Sequence, residues 1–391
     1  MDFFSLIACY LLLLAVLIFL LLFGEAAIFI DTPIASLHWL LFSGICQGFW
    51  WLVERSAGVH GKQVLERWRD KCAESSSPVL QIFYIVLLAV GFYFYTVDIF
   101  CFLPQSYAPT WHIYTGTFTL GACLLAFYTA SVSDPGRITA DNVAAHCALY
   151  PYDELTSRSG QQCWSCLWQR PARSKHCPAC KRCIARFDHH CAWINNCVGL
   201  CNLRYFMAFL VANMVLCSYG LALGCIIMHG VLEERGAWTI VVRERSTGRM
   251  YLLGSRPRIL LQWMLQQYPV PVAELIFLGV ALLLVLGFFA YHTWLISRAT
   301  TTYETFKWRE VARRLRAESL AEHADGQGQE NLSLSAAAVK GRLWPASGQS
   351  KPAVAAPQNI YDKGFAANFR DALIPPSWAG RKAAVQAKKN L

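Results

Sequence analysis

A run of cysteine and histidine residues between Cys163 and Cys197 carries the clearest chemical signal in this sequence. Seven of the 16 cysteines and three of the ten histidines fall within these 35 residues. The pairs Cys163/Cys166 and Cys177/Cys180 have the C-x2-C spacing with which two thiolates grip one tetrahedral metal ion. Thiolate and imidazole ligands together favour zinc. Apolar residues are too few here to close a core, so we expect metal binding to supply folding energy directly.

Two zinc ions with four ligands each account for only eight of these ten side chains. The surplus falls in the run Asp188-His189-His190-Cys191, because adjacent side chains cannot all point at one metal. A carboxylate that orients an imidazole, beside a free thiol, is the arrangement that activates a cysteine nucleophile. We therefore predict thiol chemistry as well as metal binding. The alternative is a zinc-ribbon or RING-like binding module; a RING domain would need a long second half with two further C-x2-C pairs, which the sequence lacks.

The full spacing is C-x2-C-x9-H-C-x2-C-x2-C-x4-D-H-H-C-x5-C, followed by Gly199, Asn202, Arg204 and Phe206. It resembles the DHHC cysteine-rich domain of protein S-acyltransferases (palmitoyltransferases) over the whole length of that domain. The resemblance implies two interleaved structural zinc sites, the first formed by Cys163, Cys166, His176 and Cys183, and the second by Cys177, Cys180, His190 and Cys197.

The same resemblance leaves three residues free for catalysis. It implies that Cys191 is the nucleophile, that His189 is the general base and that Asp188 orients His189. One departure is Ala192, where the family commonly has proline. We expect activity to survive, because this change alters local stiffness more than chemistry.

Most of the remaining chain has the composition of a membrane protein, with 55% hydrophobic and 15% charged residues and a mean hydropathy of +0.33. Five apolar runs are long enough to cross a bilayer as helices, at residues 3–23, 79–103, 111–132, 206–232 and 272–296. The apolar stretch 34–53 is predicted to be interfacial or re-entrant, with a further span as the alternative. The sequence therefore predicts an all-α polytopic membrane protein of about five transmembrane helices, with a cytosolic zinc-binding cysteine-rich domain inserted between helices.

This pattern divides the chain into six segments without a visible internal repeat. We expect an anchor and interfacial segment in 1–53, a cytosolic loop in 54–78, two transmembrane helices in 79–132, the cytosolic zinc domain in 133–204, two transmembrane helices with the lumenal loop 233–270 in 205–297, and a cytosolic tail in 298–391. The first apolar run lacks a basic n-region and is too long for a signal-peptide core, so we expect a retained anchor.

The orientation in the membrane follows from the chemistry of the zinc domain. Zinc thiolates and a reactive cysteine need a reducing compartment, so this domain should face the cytosol. The loop 233–270 then lies in the lumen although it carries six Lys/Arg against three acids, contrary to the positive-inside expectation. We give the zinc domain more weight than the loop charges.

Three motifs outside the zinc domain add to the resemblance. Asp134-Pro135-Gly136 matches the family's DPG motif, and Thr301-Thr302-Tyr303-Glu304 matches its TTxE motif. The second match implies that Thr302 reaches Asp188. After a flexible linker at 317–357, the segment 359–378 matches the C-terminal aromatic motif N-x-Y-D-x-G-x3-N, in which Asn368 would satisfy backbone groups near the span ends. The alternatives are a helix-ending turn, an N-terminal capping box and a surface turn, respectively.

The resemblance implies a two-step transfer of a long-chain acyl group from acyl-CoA, through Cys191, to cysteines of membrane-associated proteins. Between Cys163 and Arg204 the chain has seven Lys/Arg and one acid. Such a face is either solvated surface or an attractor of CoA phosphates and anionic headgroups. The candidates for acyl-CoA contacts are Arg173, Lys175, Lys181 and Arg182, with Trp193 near the mouth of the acyl cavity. We expect acyl-CoA, protein substrates and the lipid bilayer as partners, and no nucleic acid.

Two other classes of function remain as alternatives. A membrane-anchored zinc adaptor would keep the metal ligands but would have no use for Asp188, His189 or Cys191. A transporter would place ionisable residues within its spans, where this sequence has few.

The last four residues, Lys388-Lys389-Asn390-Leu391, resemble a dilysine retrieval signal that a coat protein would recognise. We therefore expect residence in the endoplasmic reticulum, with the Golgi or plasma membrane as alternatives. A basic tail without a sorting role is the other interpretation of this ending.

Overall fold

The computed structural model describes residues 78–243, 248–326 and 359–374, with a few isolated positions between 54 and 63. Four helices in these ranges are long and apolar enough to cross a membrane, at Val79–Phe102, His112–Val132, Leu203–Glu234 and Pro269–Ser297. They coincide with four of the five predicted spans to within a few residues, so the chain is a multi-pass membrane protein. The predicted first span, the stretch 34–53 and the dilysine ending lie outside the described residues.

The spans form the membrane part of the fold as helices α1 (Val79–Asp98), α2 (His112–Val132), α4 (Leu203–Glu234) and α6 (Pro269–Ser297), and the short helix α3 (Val143–Cys147) follows α2. Helix α4 lies against both α2 and α6, and α1 packs against α6. Prolines mark the ends: Pro135 follows α2 because it cannot continue the helical hydrogen bonds, and Pro269 begins α6, where its missing N–H is not needed.

Two small hairpins fold the cysteine-rich region between α2 and α4. Strand β1 (Lys175–Cys177) pairs antiparallel with β2 (Arg182–Ile184), and β3 (His189–Cys191) pairs antiparallel with β4 (Asn196–Val198). The first hairpin sets His176 opposite Cys183, and the second sets His190 opposite Cys197.

The two hairpins are an internal repeat, which corrects the expectation that none is present. The ligand pattern C-x2-C-x9-H-x6-C that begins at Cys163 begins again at Cys177, and every equivalent position is shifted by 14 residues (177 − 163 = 14). Apart from Cys177 and its equivalent Cys191, the intervening side chains differ between the two copies. The repeat is therefore visible only in the ligands and in the strands that carry them.

The loop 233–270 folds as a hairpin, β5 (Val241–Arg243) with β6 (Met250–Leu252), followed by helix α5 (Pro257–Gln267). After α6, helix α7 (Thr302–Gly326) and helix α8 (Phe365–Leu373) return to the zinc-domain end of the bundle. Helix α7 continues ten residues into the segment 317–357 that composition predicts as a linker (326 − 316 = 10). Its alanine, glutamate and leucine residues are strong helix formers, so composition alone does not distinguish a flexible linker from a continued helix in these residues.

The cysteine-rich region is continuous with the helical core. Cys191, Ile194 and Val198 are buried in one cluster with Phe206 and Leu210 of α4. The residues that follow β3 therefore have a fixed position against the membrane helices.

Candidate active site

The first cysteine–histidine cluster joins a tight turn to the first hairpin. The turn between Cys163 and Cys166 closes with a 2.7 Å hydrogen bond from the Leu167 amide to the Cys163 carbonyl. His176 and Cys183 come from opposite strands of the β1–β2 hairpin. The His176 Nδ1 atom lies 3.6, 3.4 and 3.8 Å from the sulfurs of Cys163, Cys166 and Cys183, respectively.

The second cluster repeats this arrangement with Cys177, Cys180, His190 and Cys197. The His190 Nδ1 atom lies 3.8, 3.4 and 3.6 Å from the sulfurs of Cys177, Cys180 and Cys197. Cys177 directly follows His176, so neighbouring residues of β1 serve different clusters. This alternation along the strand explains why the two sites interleave in sequence but stay separate in space.

Both clusters fit a tetrahedral zinc ion. Zn–S and Zn–N bonds of about 2.0–2.3 Å put neighbouring ligand atoms of a tetrahedron roughly 3.3–3.8 Å apart. The sulfur–nitrogen distances of 3.4–3.8 Å in each cluster fall within this range. Three thiolates and one imidazole are a donor set that favours zinc. Each cluster can therefore hold one zinc ion, and the four residues predicted for each site are the four that the fold brings together.

Strand β3 separates the metal ligand from the residues predicted to be catalytic. Successive side chains of a strand point to opposite faces, so His189 and Cys191 share one face while His190 turns to the second cluster. Asp188 directly precedes the strand, and its Oδ2 accepts a 2.6 Å hydrogen bond from His189 Nδ1. This bond leaves His189 Nε2 as the ring atom available for proton transfer with the neighbouring thiol.

The repeat explains why Cys191 lies outside both clusters. Its equivalent in the first copy is Cys177, which begins the C-x2-C turn of the second cluster. The equivalent turn after Cys191 would need a second cysteine at 194, where the chain has the fully buried Ile194. Cys191 therefore occupies the first position of a C-x2-C turn that lacks its second cysteine.

Electrostatics at this face favour an ionised thiol. Burial raises the pKa of Cys191, but its interaction with His189 and the backbone N–H groups of Ile194 and Trp193 outweigh this effect, and the net pKa is lowered. Burial also raises the pKa of Asp188, yet the hydrogen bonds from His189 and the Thr302 backbone hold it well below its usual range. The pKa of His189 is raised, because Asp188 and Cys191 together outweigh the effect of burial.

The TTxE motif, more than 100 residues later in the chain, contacts the carboxylate of Asp188. The Thr302 amide donates a 2.7 Å hydrogen bond to Asp188 Oδ1, and its hydroxyl donates to Oδ2 at 3.2 Å. The Thr301 hydroxyl accepts from the Glu304 amide, and the Thr301 amide donates to Glu304 Oε2, at 3.2 and 3.0 Å. The motif is thus both a capping box for α7 and a clamp on Asp188.

The four predicted acyl-CoA contacts are in different environments. Arg173 is 4% exposed and donates two 2.6 Å hydrogen bonds to Glu304, so the structure assigns it to the protein interior and not to a ligand. The Lys175 ammonium lies 4.4 Å from the Tyr303 ring centre. Lys181 is exposed, and Arg182 is half-buried with its Nε donating to the Cys180 carbonyl.

A groove of about 410 Å³ beside the second cluster is lined by Lys181, Arg182 and a further base, Arg137. Arg137 is not among the predicted contacts, although it directly follows the DPG motif and could have been found from that position. Ser131 Oγ and Asn195 Oδ1 are buried at this groove without a hydrogen-bond partner. The groove is therefore polar and carries positive charge.

An apolar cavity of about 740 Å³ begins at the same face of β3 and continues between α1, α2, α4 and α6. His189, Cys191 and Trp193 line one end, and Trp193 is 44% exposed. Tyr95, Gly91 and Glu274 are among the residues that line the rest. The Cys191 thiol thus lies at one end of a long apolar space among the membrane helices.

Asn368 lies where the resemblance predicts, at the junction between α6 and α8. Its side-chain amide donates to the Ser297 carbonyl at 2.9 Å and to Asp362 Oδ1 at 2.7 Å, and its oxygen accepts from the Lys363 amide at 2.9 Å. The residue is 2% exposed. Asn368 therefore satisfies a backbone carbonyl at the end of α6 and holds α8 in place.

Comparison with known proteins agrees with this geometry. The family model described as DHHC palmitoyltransferase matches residues 156–309. Palmitoyltransferase SWF1 of Neurospora crassa is 28% identical over 95% of this chain and 92% of its own length. Palmitoyltransferase swf1 of Emericella nidulans is 30% identical over 75% of this chain and 68% of its own length, and palmitoyltransferase ZDHHC4 of Bos taurus is 36% identical over 33% and 38%. This chain therefore belongs to the DHHC palmitoyltransferase family.

Proposed function

We propose that this protein transfers a long-chain acyl group from acyl-CoA to cysteine thiols of membrane-associated proteins, through a thioester on Cys191. One observation carries the proposal: Cys191 shares a strand face with His189, opens onto the apolar cavity and is left over by both metal clusters. A zinc adaptor has no use for a thiol in this position. Family membership supports the reaction class.

In the first step, the Cys191 thiolate attacks the thioester carbonyl of acyl-CoA. A new sulfur–carbon bond forms, the bond to the CoA sulfur breaks, and the departing thiolate takes a proton from the His189 imidazolium. Asp188 stabilises that imidazolium through the 2.6 Å hydrogen bond at Nδ1. The products of this step are acyl-Cys191, free CoA and neutral His189.

In the second step, a substrate cysteine attacks the acyl group on Cys191. His189 accepts the proton of the incoming thiol, and Cys191 leaves as a thiolate. One thioester is exchanged for another in each step, so the transfer needs neither ATP nor a redox cofactor. Substrates are limited to thiols that can reach the membrane surface, because Cys191 lies where the cavity meets the zinc domain.

The cavity supports a long alkyl chain as the acyl group. Each methylene that leaves water for an apolar space is stabilised by about 0.8 kcal/mol, which is ample for a chain of this kind. Trp193 at the mouth would lie beside the first carbons of the chain. The groove lined by Arg137, Lys181 and Arg182 would attract the phosphates of CoA, with Lys175 as a further contact.

We also propose that both clusters hold structural zinc. When bound, zinc would fix the two turns and the two hairpins that carry Asp188, His189 and Cys191. Residence in the endoplasmic reticulum stays a prediction: it depends on Lys388 and Lys389, which lie outside the described residues.

The test is labelling of the purified full chain with radioactive palmitoyl-CoA, with zinc measured in the same samples. Wild-type protein should carry hydroxylamine-sensitive label, and Cys191→Ser should carry none while keeping its zinc. Cys147→Ser, at a half-buried cysteine outside both clusters, is the matched control and should label normally. A wild-type protein that holds zinc but is never labelled would favour the adaptor and refute the proposal.

A further inference from the structure

We propose that His292, in membrane helix α6, is a positioning residue that holds Asp188 in the orientation that His189 needs. The inference rests on the proposed function of Asp188, His189 and Cys191. It adds a second histidine to the catalytic carboxylate, contributed by a different part of the chain.

His292 lies directly beside the carboxylate and is 2% exposed. Its Nδ1 is 3.8 Å from Asp188 Oδ2, the same oxygen that accepts the hydrogen bond from His189. The two imidazole rings are 5.5 Å apart between centres. At 3.8 Å the contact is longer than a hydrogen bond, so it acts as an electrostatic interaction between an N–H dipole and a buried charge.

The other directions around Asp188 are already occupied. Thr302 approaches Oδ1 with its amide and Oδ2 with its hydroxyl, and His189 approaches Oδ2 with Nδ1. All of these donors lie at hydrogen-bond distance from the carboxylate. The cluster of Asp188, His189 and His292 is therefore a carboxylate surrounded by donors, and this arrangement does not suit a third metal ion.

The position of His292 is itself fixed by packing. Its ring lies 5.1 Å from Phe206 of α4 and 4.6 Å from Phe288 of α6, both in edge-to-face geometry. His292 follows Phe288 by one helical turn, on the face of α6 that lines the acyl cavity. The helix that encloses the acyl chain thus also reaches the catalytic carboxylate.

The physical consequence concerns the freedom of Asp188. A buried carboxylate whose Oδ2 faced only apolar groups on this side could turn further toward the Thr302 donors and lose the His189 hydrogen bond. A dipole at His292 makes that rotation unfavourable. The expected effect is on the rate of acyl transfer and not on acyl-CoA binding, because His292 does not contact the CoA groove.

The experiment compares His292→Phe, which keeps a ring without a donor, with His292→Asn, whose amide can place an N–H near the former Nδ1. Self-acylation of the purified full chain is measured as a single-turnover rate over a range of palmitoyl-CoA concentrations, with zinc content and thermal unfolding recorded. His292→Phe should lower the saturating rate about tenfold with unchanged half-saturation, and His292→Asn should stay within about threefold of wild type. His229→Phe, at the far end of α4, is the matched control and should acylate normally.

Three outcomes would overturn the proposal. The first is His292→Phe acylating at the wild-type rate, and the second is His292→Asn acylating as slowly as His292→Phe. The third is a slower reaction that comes only from a higher half-saturating concentration of palmitoyl-CoA. If His292→Phe fails to fold, the His292→Asn rate against that of wild type decides the matter, because a donor at this position should preserve activity. If wild-type protein is not acylated at all, the proposed function has failed. If wild type is acylated and only the expected effects of these variants are missing, the failure belongs to His292.

Discussion

Arg173 and Glu304 lie 131 residues apart in sequence and form a bidentate ion pair in the protein interior. Arg173 Nε donates to Oε1 and its Nη2 donates to Oε2, both at 2.6 Å, with the two side chains 2% and 4% exposed. The guanidinium also lies 5.1 and 4.4 Å from the ring centres of Tyr150 and Tyr361. One arginine thus ties the zinc domain to the TTxE motif and to the C-terminal aromatic motif.

Breaking this pair should destabilise the protein strongly. Arg173→Met leaves the Glu304 carboxylate buried without its charge partner, with only the Thr301 amide still donating to it, and such changes cost about 3–5 kcal/mol. Thermal unfolding of the detergent-purified chain should show a large decrease in Tm. The control is Lys363→Met at the pair Lys363–Asp371, whose side chains are 60% and 37% exposed, where we expect less than about 1 kcal/mol. Equal Tm values for both variants would contradict this prediction. A change confined to acyl-CoA affinity would show that Arg173 contacts acyl-CoA, as its position in the basic run suggested.

The metal clusters and the nucleophile should separate in mutagenesis. Cys177→Ser and His190→Ala each remove a ligand of the second cluster, so the purified protein should lose about one zinc ion per chain and unfold more easily. Cys191→Ser should abolish acylation and keep the zinc content of wild type. Elemental analysis beside acylation of the same samples is the measurement. Equal loss of zinc in the Cys191 variant would show that this thiol is a ligand.

His189 and Asp188 should differ in severity. His189→Ala removes the group that exchanges the proton, so self-acylation should fall by several orders of magnitude. The self-acylation rate of Asp188→Ala should be at least about tenfold higher than that of His189→Ala, because an orienting carboxylate contributes less than the base that it orients. Single-turnover acylation rates of the two variants give the comparison. A fully active Asp188→Ala variant would leave Cys191 as a reactive cysteine without a triad.

The Thr302 hydroxyl should contribute modestly, because its amide makes the shorter contact. Thr302→Val removes the 3.2 Å hydrogen bond to Asp188 Oδ2 but keeps the 2.7 Å bond from the backbone. One hydrogen bond of this kind is worth about 0.5–1.5 kcal/mol, so the acylation rate should fall about 2- to 13-fold. Thr302→Ser keeps the hydroxyl and should act like wild type. A loss as large as that of Asp188→Ala would mean that the substitution disturbs α7 itself.

The parts of the site that depend on local spacing were predictable from the sequence. The parts that depend on long-range packing were not. The residues of each metal cluster lie within 21 positions of one another, so turn and hairpin geometry brings them together wherever the domain sits (183 − 163 = 20 intervals). Strand β3 points His190 and Cys191 to opposite faces by the same local rule, which separates the cluster residue from the proposed nucleophile.

Arg173 and His292 illustrate the limit of such reasoning. Charge and position in a basic run suggested that Arg173 faces a ligand, but its partner Glu304 is far along the chain and the pair is buried. Nothing in the sequence distinguishes His292 from the few other ionisable residues within the predicted spans. Its proximity to Asp188 depends on how α6 packs against α4, which periodicity does not reveal. The four described spans were predictable because length and hydropathy suffice to identify them.

The deep end of the acyl cavity should set which chain lengths are accepted. Glu274 lines the cavity five residues into α6 (274 − 269 = 5), and its Oε2 is buried without a hydrogen-bond partner. Phe288, near Cys191, and Glu274 are 14 positions apart on one helix, which corresponds to about 21 Å of helical rise. An alkyl chain that reaches the carboxyl group would remove its remaining hydration without replacing it, so chains beyond that depth should be disfavoured.

Filling the deep end should therefore shorten the preferred acyl chain. A side chain at Gly91 has room, since the nearest atom to its Cβ position is Glu274 Oε1 at 3.9 Å. Gly91→Leu should displace the last few methylenes, each worth about 0.8 kcal/mol of burial, and favour myristoyl-CoA over stearoyl-CoA in competition. Glu274→Leu should do the reverse and admit longer chains, whereas Glu274→Gln, which stays polar, should keep the wild-type preference.

Gly121→Leu, at an exposed glycine of α2 with open space around it, gains the same helix propensity and should change nothing. An unchanged chain-length profile in both Gly91→Leu and Glu274→Leu would mean that the acyl chain does not occupy this cavity to its end.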